Sequence, residues 1–355
     1  MMRQMVVVVG WTLLSAGCGT DEPSAEATGS STAGDSTNMS TSASTGTMPD
    51  STTGTPPPPV TSGGLDSSGD TEASTSGPAG CALGTPAPEA MFEQVLRHDG
   101  LDRELLVYVP PGYDHRAPMP VVLAFHGYTN TPAQQEDWSM LSQTAADEGF
   151  VLVYPRGTGA LPGWNAGDCC LGTGSRVDDV GFTAAILDWL ESELCIDTQR
   201  VFATGFSNGG FLSHRLACEL SDRIAAIAPV AGVMGIDDCA PARPMPVLHM
   251  HGTSDFVVPY IGSIGLGFES VADTIAGWVD RNGCQGDPVS SYARGDASCE
   301  RYERCDAGVE VELCTIEGGG HTWPGGANIP GAGVTSQDLS ANERMWAFFM
   351  AHPLP

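Results

Sequence analysis

The sequence predicts an α/β fold: a mainly parallel central sheet, helices on both faces, and an antiparallel hairpin at its start. Three observations predict it. Short, continuously apolar runs alternate with segments whose apolar residues recur at helical spacing, the pattern of a parallel sheet covered on both sides. Asp99-Gly100 lies between two early apolar runs, and that dipeptide favours a two-residue hairpin turn. Ser207, His126-Gly127, Asp255 and His321 each fall just after a predicted strand, the edge at which open α/β sheets bind ligands.

Residues 92–97 and 104–109 flank the hairpin turn, and Pro110-Pro111-Gly112 stops the second strand. Pro120 introduces the apolar run 121–125, which leads into His126-Gly127-Tyr128. A helical pattern carrying Trp138, Leu141 and Ala145 precedes another buried strand at 150–154. Residues 155–178 form a long glycine-rich connection, and a connection that long is usually functional or tied down. Phe182, Ile186, Trp189, Leu190 and Leu194 mark one face of the next helix. The run 201–204 reads as a strand, and Leu212, Leu216 and Leu220 recur every four residues after it. Strands at 224–230 and 247–251 follow, then a helix on Val271, Ile275, Trp278 and Val279. Beyond a cysteine-bearing excursion, Val309, Val311 and Leu313 alternate with Glu310 and Glu312, as in a half-exposed strand. Leu339, Trp346, Phe349 and Met350 close the chain in a last helix.

Only residues 81–355 have the composition of a packed domain, long enough for one substantial core. Residues 1–17 read as an export signal, with Arg3 as its positive end and an apolar stretch from Met5 to Leu14 too short to span a bilayer. Leu14-Ser15-Ala16-Gly17-Cys18 suits a bacterial lipoprotein processing site with Cys18 lipidated, although Ser15 stands where such sites usually carry Leu. Ordinary signal cleavage among the same small residues is the competing reading. Residues 18–80 are Ser, Thr, Gly, Pro and Ala with scattered acids, and include Pro56-Pro57-Pro58-Pro59. They lack the apolar bulk that would offset the entropy of ordering, so a disordered tether is expected. The protein is thus expected at the cell surface or outer membrane as a lipoprotein, or secreted.

Net charge is −28, and all 15 basic residues are arginine. A surface so acidic excludes nucleic acid and anionic lipid head groups as partners, leaving the N-terminal anchor as the one route to a membrane. The domain is expected to be a monomer. Ten of the 11 cysteines lie in it, an even set that reads as disulfides in an exported chain. None has C-x2-C spacing, so no metal is expected. Neighbouring Cα atoms lie ~3.8 Å apart, short of the usual bridge span of about 4.4–6.8 Å, so Cys169 and Cys170 are expected to bond different partners. Cys218 and Cys239, flanking one strand, are expected to pair.

Gly205-Phe206-Ser207-Asn208-Gly209-Gly210 stands between a predicted strand and a predicted helix. A serine between glycines at that junction is the nucleophile elbow of α/β-hydrolases. Strand and helix nearly touch, so the flanking positions must be small, and the turn aims the Asn208 N–H where an oxyanion would form. The hydroxyl needs a base. His214 lies seven residues along the same helix, ~10 Å away, and cannot serve. His249 and His251, at i and i+2 in a strand, read as satisfied sheet histidines rather than a metal pair, and His98, His115 and His352 as surface residues. The backbone of His126 shapes a turn. His321, in a glycine-rich loop after the last strand, is the candidate base. Asp255 is the acid that would fix its tautomer, ahead of Asp237 and Asp238, which read as solvated loop acids. Ser207, Asp255 and His321 occur in the order of α/β-hydrolase triads. Tyr128 is the candidate second oxyanion donor beside Asn208.

These motifs resemble the secreted esterases grouped with polyhydroxybutyrate depolymerases and feruloyl or acetylxylan esterases. The similarity rests on His126-Gly127, the elbow, His251-Gly252-Thr253-Ser254-Asp255 and Gly319-Gly320-His321-Thr322-Trp323-Pro324-Gly325. Gly163-Trp164-Asn165 with Cys169-Cys170, and Val177-Asp178-Asp179-Val180-Gly181-Phe182, add to it, so that it spans roughly residues 95–350. The resemblance implies an α/β-hydrolase fold, no cofactor, and the triad chosen above. No polymer-binding module accompanies the tether, which suits soluble oligoesters or ester groups on polysaccharide better than crystalline polyester. Trp164 and Trp323 are candidate walls for an acyl or sugar group, or else packing beneath the active-site loops. A peptidase or thioesterase on the same scaffold, and an inactive surface-binding module, are the alternative functions.

Overall fold

The computed structural model describes Cys81, residues 90–170 and residues 177–355. The expected signal peptide, Cys18 and the tether lie outside the described residues. The chain opens with β1 (Met91–His98) and β2 (Leu101–Tyr108), joined by Asp99 and Gly100 at φ 46° and 77°, the positive angles that the dipeptide favours. Then come β3 (Met119–Phe125), α1 (Pro132–Ser139), α2 (Leu141–Glu148), β4 (Val151–Pro155) and α3 (Asp179–Glu193). β5 (Ile196–Phe206), α4 (Asn208–Glu219), β6 (Ala226–Val230), β7 (Val247–Gly252) and α5 (Val271–Arg281) continue the alternation. β8 (Val289–Arg294), β9 (Ala297–Tyr302), β10 (Val311–Ile316) and α6 (Ala341–Ala351) complete it.

One ten-stranded sheet has the order β1-β2-β4-β3-β5-β6-β7-β10-β9-β8. Its centre, from β4 to β10, is parallel, and its edges are antiparallel. Successive residues of β3 serve opposite cores. Val121, Leu123 and Phe125 face α3, α4 and α5, with Phe182, Leu190, Leu212, Leu216 and Trp278. Val122 and Ala124 face α2 and α6, with Leu141, Ala145, Met345 and Phe349. This two-sided burial makes the central strands read as continuously apolar. No helix among the described residues is long and apolar enough to cross a membrane.

Four expectations are corrected. The helix carrying Trp138, Leu141 and Ala145 is two helices, because Met140 takes the left-handed conformation at φ 53° and interrupts the ladder between them. The cysteine-bearing excursion is itself β8 and β9, an antiparallel extension of the sheet held to β10 by Cys299–Cys314. Consequently Glu312 is not solvent-facing: β9 and α6 cover it, and it bonds Ser291 and Arg344. Finally, Cys169 and Cys170 are bonded to each other. Cys81–Cys195, Cys218–Cys239, Cys284–Cys305 and Cys299–Cys314 use the other eight domain cysteines, leaving this pair no other partner among the described residues. The expected Cys218–Cys239 bridge is formed.

Candidate active site

Close backbone approach builds the elbow. β5 ends at Phe206 and α4 begins at Asn208, so Ser207 turns the chain between them at φ 55°, ψ −120°. A non-glycine residue there costs about 1–3 kcal/mol and persists only where its surroundings over-determine it. Here they do. The Ser207 N–H donates to the Val230 carbonyl at 2.9 Å, and its own carbonyl accepts from the N–H groups of Gly210 (2.7 Å) and Phe211 (3.0 Å). A Cβ at Gly205 would collide with the Gly209 backbone, and one at Gly209 with the Phe125 carbonyl. That is why the sequence carries glycine on both sides of the serine.

The loop after β3 lies against the elbow, since a Cβ at Gly127 would stand 3.3 Å from Cβ of Ser207. Tyr128 follows directly. Asn208, as the first residue of α4, has an N–H with no intrahelical acceptor. The two candidate oxyanion donors thus belong to segments that meet at Ser207. His126 itself is buried. The Gly157 N–H donates to its Nε2 at 2.9 Å, and its Nδ1–H donates to the Gly127 carbonyl at 2.8 Å. Burial lowers its pKa to about 4, despite the Gly127 bond, so it is a neutral fastener between loops.

His321 follows β10, and its ring packs on Phe206 with centroids 4.7 Å apart, which brings it to the serine's immediate neighbour. Its N–H donates to the Ala332 carbonyl at 2.7 Å. Nδ1 lies 2.7 Å from Oδ2 of Asp255. A carboxylate only accepts, so Nδ1 carries the proton and Nε2 keeps its lone pair. Asp255 sits at the end of β7 with no exposed side-chain surface. Its Oδ1 accepts from the N–H groups of Val257 (2.8 Å) and Val258 (2.9 Å). Burial acts to raise this carboxyl, but the hydrogen bonds from His251 and His321 outweigh it and hold it well below the usual carboxylate range. Among the described residues the Ser207 hydroxyl forms no hydrogen bond; such contacts often close only when substrate arrives. Asp237 and Asp238 are exposed, as loop acids should be.

For the two tryptophans the structure favours packing beneath the active-site loops over walls for an acyl or sugar group. Trp164 is 0% exposed and donates its indole N–H to the His126 carbonyl at 2.8 Å; Trp323 is 1% exposed and donates to Asn342 at 2.9 Å. Neither presents a face to a ligand, because each is enclosed beneath the loops it fastens.

Several contacts that brace the site escape sequence reasoning. Oδ1 of Asn208 accepts from the Trp164 N–H at 2.7 Å, and its Nδ2 donates to the Trp164 carbonyl at 3.2 Å, clamping the 163–166 segment to the elbow. Oδ2 of Asp179 accepts from the Asn165 N–H at 2.7 Å, and Oδ1 from buried Arg103 at 2.7 Å. The Val177-Asp178-Asp179 motif was the available signal. Nothing local marks Arg103, which lies far away in the hairpin.

Comparison with known proteins accords with this geometry. The family model described as X-Pro dipeptidyl-peptidase (S15 family) matches residues 99–243. The chain is 34% identical over 233 residues to feruloyl esterase B of Piromyces equi, covering 62% of this chain and 42% of that protein. It therefore spans less than half of that relative's length. It is 30% identical over 257 residues to "Probable feruloyl esterase C" of Aspergillus flavus, covering 70% of this chain and 84% of that one. The chain belongs to the feruloyl esterase family. Its fold is that of the α/β-hydrolases: the acetyl xylan esterase of Aspergillus awamori superposes with a TM-score of 0.52 at 15% identity, over 72% of this chain and 98% of the other.

Proposed function

We propose that the chain is a serine carboxylic-ester hydrolase working through an acyl-enzyme. His321 takes the proton of Ser207 as its Oγ attacks the ester carbonyl, Asp255 holds the imidazole tautomer and stabilises the imidazolium, and water then releases the acyl group. The N–H groups of Asn208 and Tyr128 receive the oxyanion, where loss of one donor costs about 2.7–4 kcal/mol in the transition state. The observation that carries this reading is the 2.7 Å bond from His321 Nδ1 to fully buried Asp255, beside a serine forced into the strained elbow.

The family points to feruloyl or acetyl esters of plant polysaccharide as the substrate class, and the motif resemblance adds oligoesters of the polyhydroxybutyrate type. Export, with Cys18 as lipid anchor, accords with the five disulfides, which persist in oxidising compartments. The match to the X-Pro dipeptidyl-peptidase model favours one second reading, cleavage of a peptide bond after an X-Pro dipeptide by the same serine.

A panel of methyl ferulate, acetylated xylan, hydroxybutyrate oligomers and an Ala-Pro anilide separates these readings. Ser207→Ala is expected to lower ester turnover by about 10⁶-fold while melting within a few degrees of the parent. Unchanged turnover in that variant would remove Ser207 from the mechanism, and turnover of the anilide alone would replace the esterase reading with the peptidase one.

A further inference from the structure

Behind Asp255 runs a file of buried rings that the acyl-enzyme chemistry does not use. The indole N–H of Trp278, on α5, donates to Nδ1 of His214, on α4, at 3.0 Å. Nε2 of His214 lies 3.3 Å from Nδ1 of His249, and Nε2 of His249 lies 3.1 Å from Nδ1 of His251, both on β7. Nε2 of His251 reaches the Val258 carbonyl at 2.8 Å and Oδ2 of Asp255 at 3.5 Å. All four rings are at most 1% exposed.

The two ends of this file allow only one arrangement of protons. An indole nitrogen can only donate, so Nδ1 of His214 must accept and its proton lies on Nε2. A carbonyl and a carboxylate can only accept, so Nε2 of His251 must carry a proton. Between these ends each neutral imidazole has one donor and one acceptor, and the bonds close only if all three carry Nε2–H. Reversing any one ring sets two lone pairs or two protons against each other. An added proton meets the same obstacle: relayed back along the file, it would point Nδ1–H of His214 at the Trp278 N–H. Among the described residues, the other charged and titratable groups set against the file include Arg281, whose guanidinium lies 5.6 Å from the Trp278 ring, Tyr260, edge-on to His251 at 5.8 Å, and His321 across Asp255. On the β10 side His249 and His251 face Leu313 and Thr315.

We propose that His251, locked in its Nε2–H tautomer by the file from Trp278 through His214 and His249, is a positioning residue for Asp255. Its proton is shared between the Val258 carbonyl and the carboxylate, while the Val258 N–H returns to the other carboxylate oxygen. Asp255 thereby meets donors from His251, Val257, Val258 and His321, and Oδ2 stays aimed at His321. The orienting effect rests on the esterase reading above; the tautomer assignment does not.

The assignment is tested by long-range ¹H–¹⁵N correlation of the histidine rings between pH 6 and 8. His214, His249 and His251 are each expected to show a single proton on Nε2; Nδ1–H or an imidazolium at His251 would overturn the proposal. The role is tested by the pH profile of ester hydrolysis. In His251→Leu the carboxylate loses a donor and concentrates more charge on His321, which favours imidazolium. The acidic limb of kcat/KM should therefore move up by about half a pH unit and kcat fall on the order of tenfold, with KM little changed. His251→Gln, which keeps an N–H, should restore the limb. Trp278→Phe keeps the bulk and removes the head donor; it should release His214 to the other tautomer and move the limb less, in the same direction. A limb left in place in both His251→Leu and Trp278→Phe, with only melting temperature reduced, would make the file mere packing. Expected tautomers in a protein with no ester turnover would count against the esterase reading, not against the tautomer assignment.

Discussion

Asp255 and Asp179 are both buried carboxylates, each with a cationic or cation-forming partner at 2.7 Å, yet they behave oppositely. Burial pushes both carboxyls upward. At Asp255 the hydrogen bonds from His251 and His321 overcome it. At Asp179 the Asn165 N–H and the Arg103 guanidinium offset only part, and the carboxyl stays raised. Burial acts in the same sense on both acids, and the donors and charges set against their oxygens decide the direction of each. Asp255 faces a histidine that can exchange protons. Asp179 faces a guanidinium that cannot, set over the Phe182 ring at 3.8 Å, and serves to hold the 163–166 segment in place.

The largest expected effect breaks the comparison on the catalytic side. Asp255→Asn should lower kcat by about 10⁴-fold through tautomer misalignment while the protein still folds. A loss of only tenfold would assign the role to another acid. On the structural side, Arg103→Met leaves Asp179 without its counter-charge and should cost about 3–5 kcal/mol in urea unfolding. Arg103→Met with Asp179→Leu should recover much of that loss. If the single variant unfolds like the parent, the pair is not holding the loop.

The smallest effect per step is the acid sensitivity of the histidines. Burial lowers His214 to about 3, and burial with the nearby His251 and His214 lowers His249 well below its ordinary value. Their contribution is complete above the unfolded value of 6.5 and is lost as pH falls toward the folded values. Each should remove about 1.4 kcal/mol per pH unit over that window. Asp255, whose carboxyl is depressed, adds to the loss only below its unfolded value of 3.8, whereas raised Asp179 acts in the opposite sense as it protonates. Melting temperatures that stay flat from pH 6.5 to 4 would contradict this account of the buried rings.

The local chain alone determines the sheet's parallel centre, the hairpin and the elbow, because each depends on spacing and on residues a few positions apart. Asp99-Gly100 selects its turn by φ; Gly205 and Gly209 are required by a contact within one strand–turn–helix unit. The pairing of His321 with Asp255 follows from two strand ends lying side by side, β7 next to β10, an order that short-range pattern only suggests. What only the tertiary structure decides are contacts between distant segments. Arg103 on β2 finds Asp179 at the start of α3, Trp164 and Trp323 vanish beneath loops, and β8–β9 covers Glu312. The Cys169–Cys170 bond, which the usual Cα span argues against, is seen only in the tertiary structure, where the other eight domain cysteines are paired with one another. Likewise His249 and His251 read from the sequence as ordinary sheet residues. They acquire direction only when α4 and α5 bring His214 and Trp278 to one end of the file, and the turn after β7 brings Asp255 to the other.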